Sequence, residues 1–349
     1  MKMMGTERKI RPLDEQAMAV SRKKWDSIAK PLHSLGKLED YVVQIAGITG
    51  DARVLLDKKA LVIMCADNGI VEEGVTQSGQ EVTALVSNNF LTDQATAAVL
   101  CRKTGADIKP VDIGIAVKTN LPDCKIAYGT KNFAKEPAMT REEAERAIET
   151  GIRIVEELAG QGYRIIATGE MGIGNTTTSS ALACAFLNRP AEEMTGKGAG
   201  LTSKGLEKKI QVIEQALKRY LPQCHDAVDL LACVGGLDIA GLAGVFIGGA
   251  ICRVPVVIDG FISSVAALTA YKICPACRDY MLASHVSKEP AAQLVLDALG
   301  LSAALHCGMC LGEGTGAVTL FPILDMACEV YEKMSTFDEI KLEAYQELV

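Results

Sequence analysis

Five short aliphatic runs, spaced between helical patterns, constrain this chain more than any other feature. They are ALVIMCAD at 60–67, DIKPVDIG at 107–114, YRIIATGE at 163–170, DLLACVGG at 229–236 and VPVVIDG at 254–260. Dense aliphatic runs without polar alternation read as strands buried on both faces, and their alternation with helices predicts an α/β fold around a doubly wound parallel sheet. Two of the helices are legible from their spacing. Thr140 and Glu143 form a capping box before the amphipathic AERAIETGIRIVEEL, and a second amphipathic segment, GLEKKIQVIEQALKRYL, follows Ser203. In open α/β sheets ligands bind beyond the carboxyl ends of the strands. The ends Asp67, Asp112, Glu170, Gly235 and Asp259 are therefore expected to converge. The terminal stretches lack the alternation, so residues 58–300 are expected to form a large α/β domain and residues 1–57 with 301–349 a small helical one.

Bulk composition narrows the classes of function. A net charge of −7 gives no positive field for a nucleic-acid backbone, and 5% aromatic content offers little for base stacking. The apolar run Ile239–Cys252 is too short for a membrane helix, is bracketed by Asp238 and Arg253, and reads as a buried helix. The charged N-terminus has no signal-peptide core, which predicts a cytoplasmic protein that contacts neither membrane nor nucleic acid. Twelve cysteines scattered through apolar segments, with no export signal, read as reduced thiols. The Cys274–Cys277 pair has no partner pair at zinc-finger spacing, and the four histidines form no metal motif, so no metal and no cofactor is expected.

Two glycine-rich carboxylate motifs carry the chemistry. In GEMGIGNTTTSSAL, 169–182, a strand feeds a helix through Gly172 and Gly174, which let backbone approach a ligand; free amides at the helix start, near Asn175, favour phosphate. Phosphate would repel Glu170, which better serves ribose hydroxyls or positive charge developing in a sugar ring. In LGEGTGA, 311–317, glycines expose Glu313 as a candidate general base once a pocket desolvates it. The loop 66–86 supplies Asp67, Asn68, Ser78 and Gln80 to orient a planar substrate. GKGAGLTSKGLEKK, 196–209, offers lysines, of which one could reach a phosphate, and SHVSKEPA, 284–291, adds hydroxyls, a histidine and Glu289. A nicotinamide-dependent dehydrogenase would need GxGxxG after its first strand, where CADNG stands instead.

In order along the chain, KPLHSLGKLED, ADNGIVEEGVTQSGQEVTA, VDIG, GEMGIGNTTTSSAL, GKGAGLTSKGLEKK, VGGLDIAGLAG, VPVVIDGF, SHVSKEPA and LGEGTGA together resemble the nicotinate-nucleotide:dimethylbenzimidazole phosphoribosyltransferase family, which activates the lower ligand of cobalamin. The resemblance implies a Rossmann-like large domain, a small domain built from both termini and a dimer with active sites near the subunit interface. It implies transfer of phosphoribose from nicotinate mononucleotide to an aromatic base, with inversion at the anomeric carbon. On that resemblance Glu313 matches the catalytic base. Glu170, Gly172, Gly174 and Asn175 match the sugar and phosphate motif. Lys209 and Ser287 match phosphate-side positions, Ser78 falls in the acceptor loop, and Asp259 is a further candidate for substrate binding.

Three departures touch the acceptor side. Asn68 stands where the family commonly has His, Cys310 where it has Arg, and Val86 where some members have Gln. They suggest an altered acceptor such as phenol or p-cresol, which relatives working as two paralogous subunits accept. A homodimer and a pseudosymmetric heterodimer with a paralog are both compatible with the sequence, and a non-catalytic subunit is the alternative function.

Overall fold

Side-chain alternation in the strand Lys59–Ala66 sets up the two layers. All eight of its residues are buried. Ala60, Val62, Met64 and Ala66 join one apolar core, and Leu61, Ile63 and Cys65 join another on the opposite face, as the two-residue period of a strand requires. The computed structural model describes residues 9–346 in full, with backbone strand assignments for Lys2–Met3 and Thr6–Glu7. The outermost parts of the expected small domain, residues 1, 4, 5, 8 and 347–349, lie outside the described residues.

The strands are β1 (Lys2–Met3), β2 (Thr6–Glu7), β3 (Lys59–Ala66), β4 (Ala106–Gly114), β5 (Ile165–Met171), β6 (Val256–Ile258) and β7 (Met281–Ala283). The first two pair with each other, antiparallel. The other five form one parallel sheet in the order β4-β3-β5-β6-β7. Strand order reverses between β3 and β5, which opens a crevice at their carboxyl ends. The pairing Met64↔Glu170 puts the first sequence motif beside that crevice.

The helices Arg141–Gly160 and Leu237–Cys252 cover one face. They cross closely because a Cβ on Gly151 would lie 2.0 Å from the Gly241 carbonyl oxygen, and one on Gly244 2.0 Å from that of Ile148. The other face is covered by segments from both chain ends, including Glu15–Ser27, Lys37–Thr49 and Thr315–Lys333, together with Thr96–Thr104. The ends meet directly: Trp25 packs on Tyr331 with ring centroids 4.9 Å apart, and the Ala29 N–H donates to the Ser335 carbonyl. The capping box at Thr140–Glu143 is present, and the amphipathic segment after Ser203 is the helix Ser203–Tyr220. No helix among the described residues is long and apolar enough to cross a membrane.

Three expectations are corrected. DLLACVGG is not a strand: Ala227–Val234 is a helix, capped by the Asp226 carboxylate on the Val228 and Asp229 amides and ended at Gly235. An unbroken apolar run fits a buried helix as well as a buried strand, and here the cap decides. The fifth parallel strand is instead β7, three residues long and too short to stand out in the sequence. The five expected termini also do not all converge. Asp112 lies inside β4 and pairs with Lys125 at 2.8 Å, while Asp67 accepts the Ala116 amide at 2.8 Å. Both carboxylates fasten the segment that follows β4, which leaves Glu170 and Asp259 lining the cavity at the crevice.

Candidate active site

The two glycine-rich carboxylate motifs, 143 positions apart in sequence by the difference between 313 and 170, are in contact. Gly169 presses so closely on the second loop that a Cβ there would fall 2.7 Å from the Glu313 carbonyl carbon. A Cβ on Gly312 would fall 2.6 Å from Glu170 Oε1. Glu313 itself has φ +60°, between Gly312 at +89° and Gly314 at +83°. Three successive left-handed residues hold the side chain out on a tight coil, a conformation that a non-glycine residue adopts at a cost.

Asp259 holds that coil. Its Oδ1 accepts the Gly316 and Ala317 amides at 2.7 and 3.0 Å, and its Oδ2 accepts the Gly314 amide at 3.2 Å. A carboxylate on the first amides of the helix Thr315–Lys333 satisfies donors that the helix cannot, and its charge suits that end of the dipole. Burial nevertheless pushes the Asp259 carboxyl above the usual range, opposed by the charge of nearby His285. His285 rests against Gly316, where a Cβ would lie 1.9 Å from Nδ1.

Glu170 is buried at the end of β5. The Asn175 amide nitrogen donates both to Glu170 Oε2 and, at 3.1 Å, to Asp238 Oδ2, so one amide bridges two buried carboxylates. Burial, reinforced by the charge of Asp238, pushes Glu170 up to about 8, and burial pushes Asp238 up to about 6. Glu313 is half-buried and also raised, chiefly by burial, although its Oε2 accepts the Ala97 amide at 3.3 Å in the first turn of Thr96–Thr104. In this crowded group a positive charge would be welcome.

A cavity of about 220 Å³ opens onto this group, lined by Glu170, Gly172, Asn175, Asp259, Ser287 and Glu313 among others, with no lysine or arginine in its wall among the described residues. An adjoining pocket of about 80 Å³ is lined by Ser78, Gly174, Thr176 and Gly198. Lys209 lies behind that wall, with Nζ donating to Thr176 Oγ1 at 2.9 Å and to the Gly196 carbonyl at 3.2 Å. Its burial pulls the ammonium down to about 8, opposed by Glu289. Thus a cation, with the Glu289 carboxylate beside it, and the amides at the start of Asn175–Leu187 adjoin the cavity lined by Glu170, Asp259 and Glu313.

Asn68 and Val86 line neither space. Asn68 is fully buried near Asp238, with neither polar atom of its amide hydrogen-bonded, and Val86 packs against the core of the terminal helices. Of the three acceptor-side departures, Cys310 alone stands in the cavity wall. Sequence reasoning passed over Asp238 as a site residue. Its only signal was an acid opening an otherwise apolar helix, in VGGLDIAG. It also passed over a second cysteine pair at the Cys-x-x-Cys spacing, Cys307 and Cys310. Volume does not select the site: a cavity of about 700 Å³ among the terminal segments, lined by Trp25, His33 and Tyr345, holds none of these residues.

The site has the organisation of a phosphoribosyltransferase, and the family model DBI_PRT, described as Phosphoribosyltransferase, matches residues 10–342. A nicotinate-nucleotide–dimethylbenzimidazole phosphoribosyltransferase of Ruminiclostridium cellulolyticum is 49% identical over 342 residues, covering 97% of each chain. One of the same name from Acetivibrio thermocellus is 46% identical over 350 residues, covering 99% of each. A solved structure described as CobT from Thermus thermophilus superposes with a TM-score of 0.90 at 36% identity, over 94% of this chain and 99% of that one. The chain belongs to the nicotinate-nucleotide:dimethylbenzimidazole phosphoribosyltransferase family.

Proposed function

We propose that this chain transfers the phosphoribosyl group of nicotinate mononucleotide to an aromatic lower-ligand base, giving an α-riboside phosphate for cobamide synthesis and free nicotinate. The observation that carries this reading is the seating of the Gly312–Gly314 coil on the end of β5, which turns Glu170 and Glu313 toward one cavity whose described wall holds no lysine or arginine. Nicotinate joined through its ring nitrogen is a cationic leaving group, so its departure needs no proton donor. The phosphate is assigned to the Gly174 and Thr176 amides, backed by Lys209, with Ser287 on the wall near the ribose. The cationic ring and the developing oxocarbenium then lie among the carboxylates, whose raised pKa values are lowered by that charge.

In the reaction the acceptor nitrogen attacks C1′ from the face opposite nicotinate. The C1′–N bond breaks with its electron pair returning to the pyridine ring, and Glu313 takes the acceptor's proton. A single displacement inverts the anomeric centre. Glu170 acts by electrostatics on the sugar rather than by proton transfer.

The acceptor is proposed to be a neutral azole of the dimethylbenzimidazole type. Phenol and p-cresol, suggested by the three departures, lose support from the positions of Asn68 and Val86. A wall without lysine or arginine also gives no help in ionising a phenol of pKa ~10. The adjacency of Glu313, Glu170 and the helix start near Gly174 supports catalysis by this chain over a non-catalytic subunit role.

One experiment tests the reading. Purified protein alone is given nicotinate mononucleotide with dimethylbenzimidazole, adenine, phenol and p-cresol in competition, and the ribosides are identified by mass spectrometry. The expected product is the dimethylbenzimidazole riboside, with kcat in Glu313→Ala lowered ~10²- to 10⁴-fold. Unchanged turnover in the variant removes the base role, and predominance of phenolic ribosides overturns the acceptor assignment. If the protein is inert alone but activates a co-expressed paralog, the subunit alternative holds.

A further inference from the structure

The segment leading into Glu313 carries a pair of thiols for which the proposed reaction has no use. Of the twelve cysteines, Cys307 and Cys310 are the two that are exposed. They are the ends of Cys-Gly-Met-Cys, the i, i+3 spacing in which one thiol can resolve a bond formed at the other. Gly308, between them, has φ +64°, a left-handed kink at the tip of the loop.

The loop is pinned on both sides of that tip. Leu305 accepts the Val286 N–H and donates its own N–H to Ser284, and the Met309 carbonyl accepts the Lys288 N–H at 3.1 Å. Cys307 and Gly308 project between the anchors. Cys310 leaves the second anchor and enters the cavity wall directly before Leu311 and the coil that bears Glu313. Movement of Cys310 toward Cys307 must be taken up between Met309 and Gly312, because Asp259 fixes the chain from Gly314 onward.

We propose that Cys307 and Cys310 are a site of reversible intramolecular disulfide formation at the acceptor mouth of the cavity, and that the oxidised form is less able to use the acceptor. The effect on turnover rests on the function proposed above; the bond itself does not. The oxidant is a low-molecular-weight disulfide, RS–SR. One cysteine, as thiolate, attacks a sulfur of RS–SR, breaking its S–S bond and expelling RS⁻. The second cysteine's thiolate then attacks the protein-bound sulfur of the mixed disulfide, forming the Cys307–Cys310 bond and expelling another RS⁻. The two protons lost by the cysteines are taken up by these anions. Two protein thiols are oxidised and one RS–SR is reduced to two RSH.

The test uses the full-length protein equilibrated with glutathione and glutathione disulfide at graded ratios, quenched by alkylation and mapped by peptide mass. The expected result is a Cys307–Cys310 linkage as the first modification, reversed by dithiothreitol and absent in Cys307→Ser, which keeps wild-type activity when reduced. Separate stable glutathione adducts on both residues overturn the proposal. So does earlier linkage of Cys224 to Cys233, whose sulfurs are 3.8 Å apart. In kinetics, the linked wild-type enzyme is expected to lose ~10-fold or more in kcat/KM for dimethylbenzimidazole, as a displaced reacting loop would produce, with the KM for nicotinate mononucleotide little changed. Linked enzyme with undiminished acceptor kcat/KM refutes the functional half. Reduced wild-type protein inert with every acceptor refutes instead the proposed transfer reaction and leaves the mass result to stand by itself.

Discussion

Replacing Asp259 with Asn tests whether the Glu313 coil is held from behind. The wild-type carboxylate accepts three backbone amides, two on Oδ1 and one on Oδ2. In Asp259→Asn the Oδ1 pair survives as neutral bonds worth ~1 kcal/mol each, and an NH₂ group faces the Gly314 N–H, donor to donor. Charge-assisted bonds are worth ~1.5–3 kcal/mol, so the gross loss is ~2.5–7 kcal/mol. Relief from burying an anion returns part of this, and a net destabilisation of ~2 kcal/mol is expected. The lost bond is the one to Gly314, next to Glu313. A shift of ~1 Å there is expected to lower kcat ~10²-fold while the KM for nicotinate mononucleotide changes little. Urea unfolding gives the first quantity from the midpoint at constant slope, and steady-state kinetics with nicotinate mononucleotide and dimethylbenzimidazole gives the second. A ~2 kcal/mol loss of stability with kcat unchanged would show that Glu313 does not need this anchor. A rise in donor KM at constant kcat would return Asp259 to direct substrate contact.

Other consequences follow from the same geometry. Lys209→Met is expected to raise the KM for nicotinate mononucleotide ~10-fold or more at nearly constant kcat, because one charged phosphate-side partner is lost. Urea unfolding should show little loss of stability, since the buried ammonium carries its own desolvation cost. Gly169→Ala puts a Cβ 2.7 Å from the Glu313 backbone, which has no flexible end to yield, and near-complete loss of turnover is expected, with a folded protein by circular dichroism. Glu170 and Asp238 have folded-state values of about 8 and about 6, above their reference values of 4.5 and 3.8. A carboxyl raised by folding stabilises fully below its unfolded value, and that contribution fades as pH rises through the folded one. Stability of the ligand-free protein should therefore fall as pH climbs from the acid range through about 6 to about 8. Asp238→Asn should flatten that decline in urea titrations, and saturating nicotinate mononucleotide should flatten it too.

Much of the fold was legible because it rests on local patterns. The runs at 60–67, 107–114, 163–170 and 254–260 became β3, β4, β5 and β6, and the capping box at Thr140 started the helix it announced. The run at 229–236 misled because an apolar stretch has no period to separate helix from strand, and β7 was missed because three residues carry too little pattern.

The site divides along the same line. By itself the sequence determined the chemical parts: two glycine-flanked carboxylates, a phosphate-compatible helix start, lysines that follow it, and the order of motifs that marks the family. Those are properties of side chains and of short backbone turns, and they survive in one dimension. Only the tertiary structure decided which parts meet. It set Gly169 against Glu313, bridged Glu170 to Asp238 through one amide, and used Asp259 to clamp the coil; it also tied Asp67 and Asp112 to the segment that follows β4. Such pairings depend on strand order and on close backbone approach between distant segments. No local pattern encodes them, because the contact energy resides in residues that the chain brings together only after the sheet has formed.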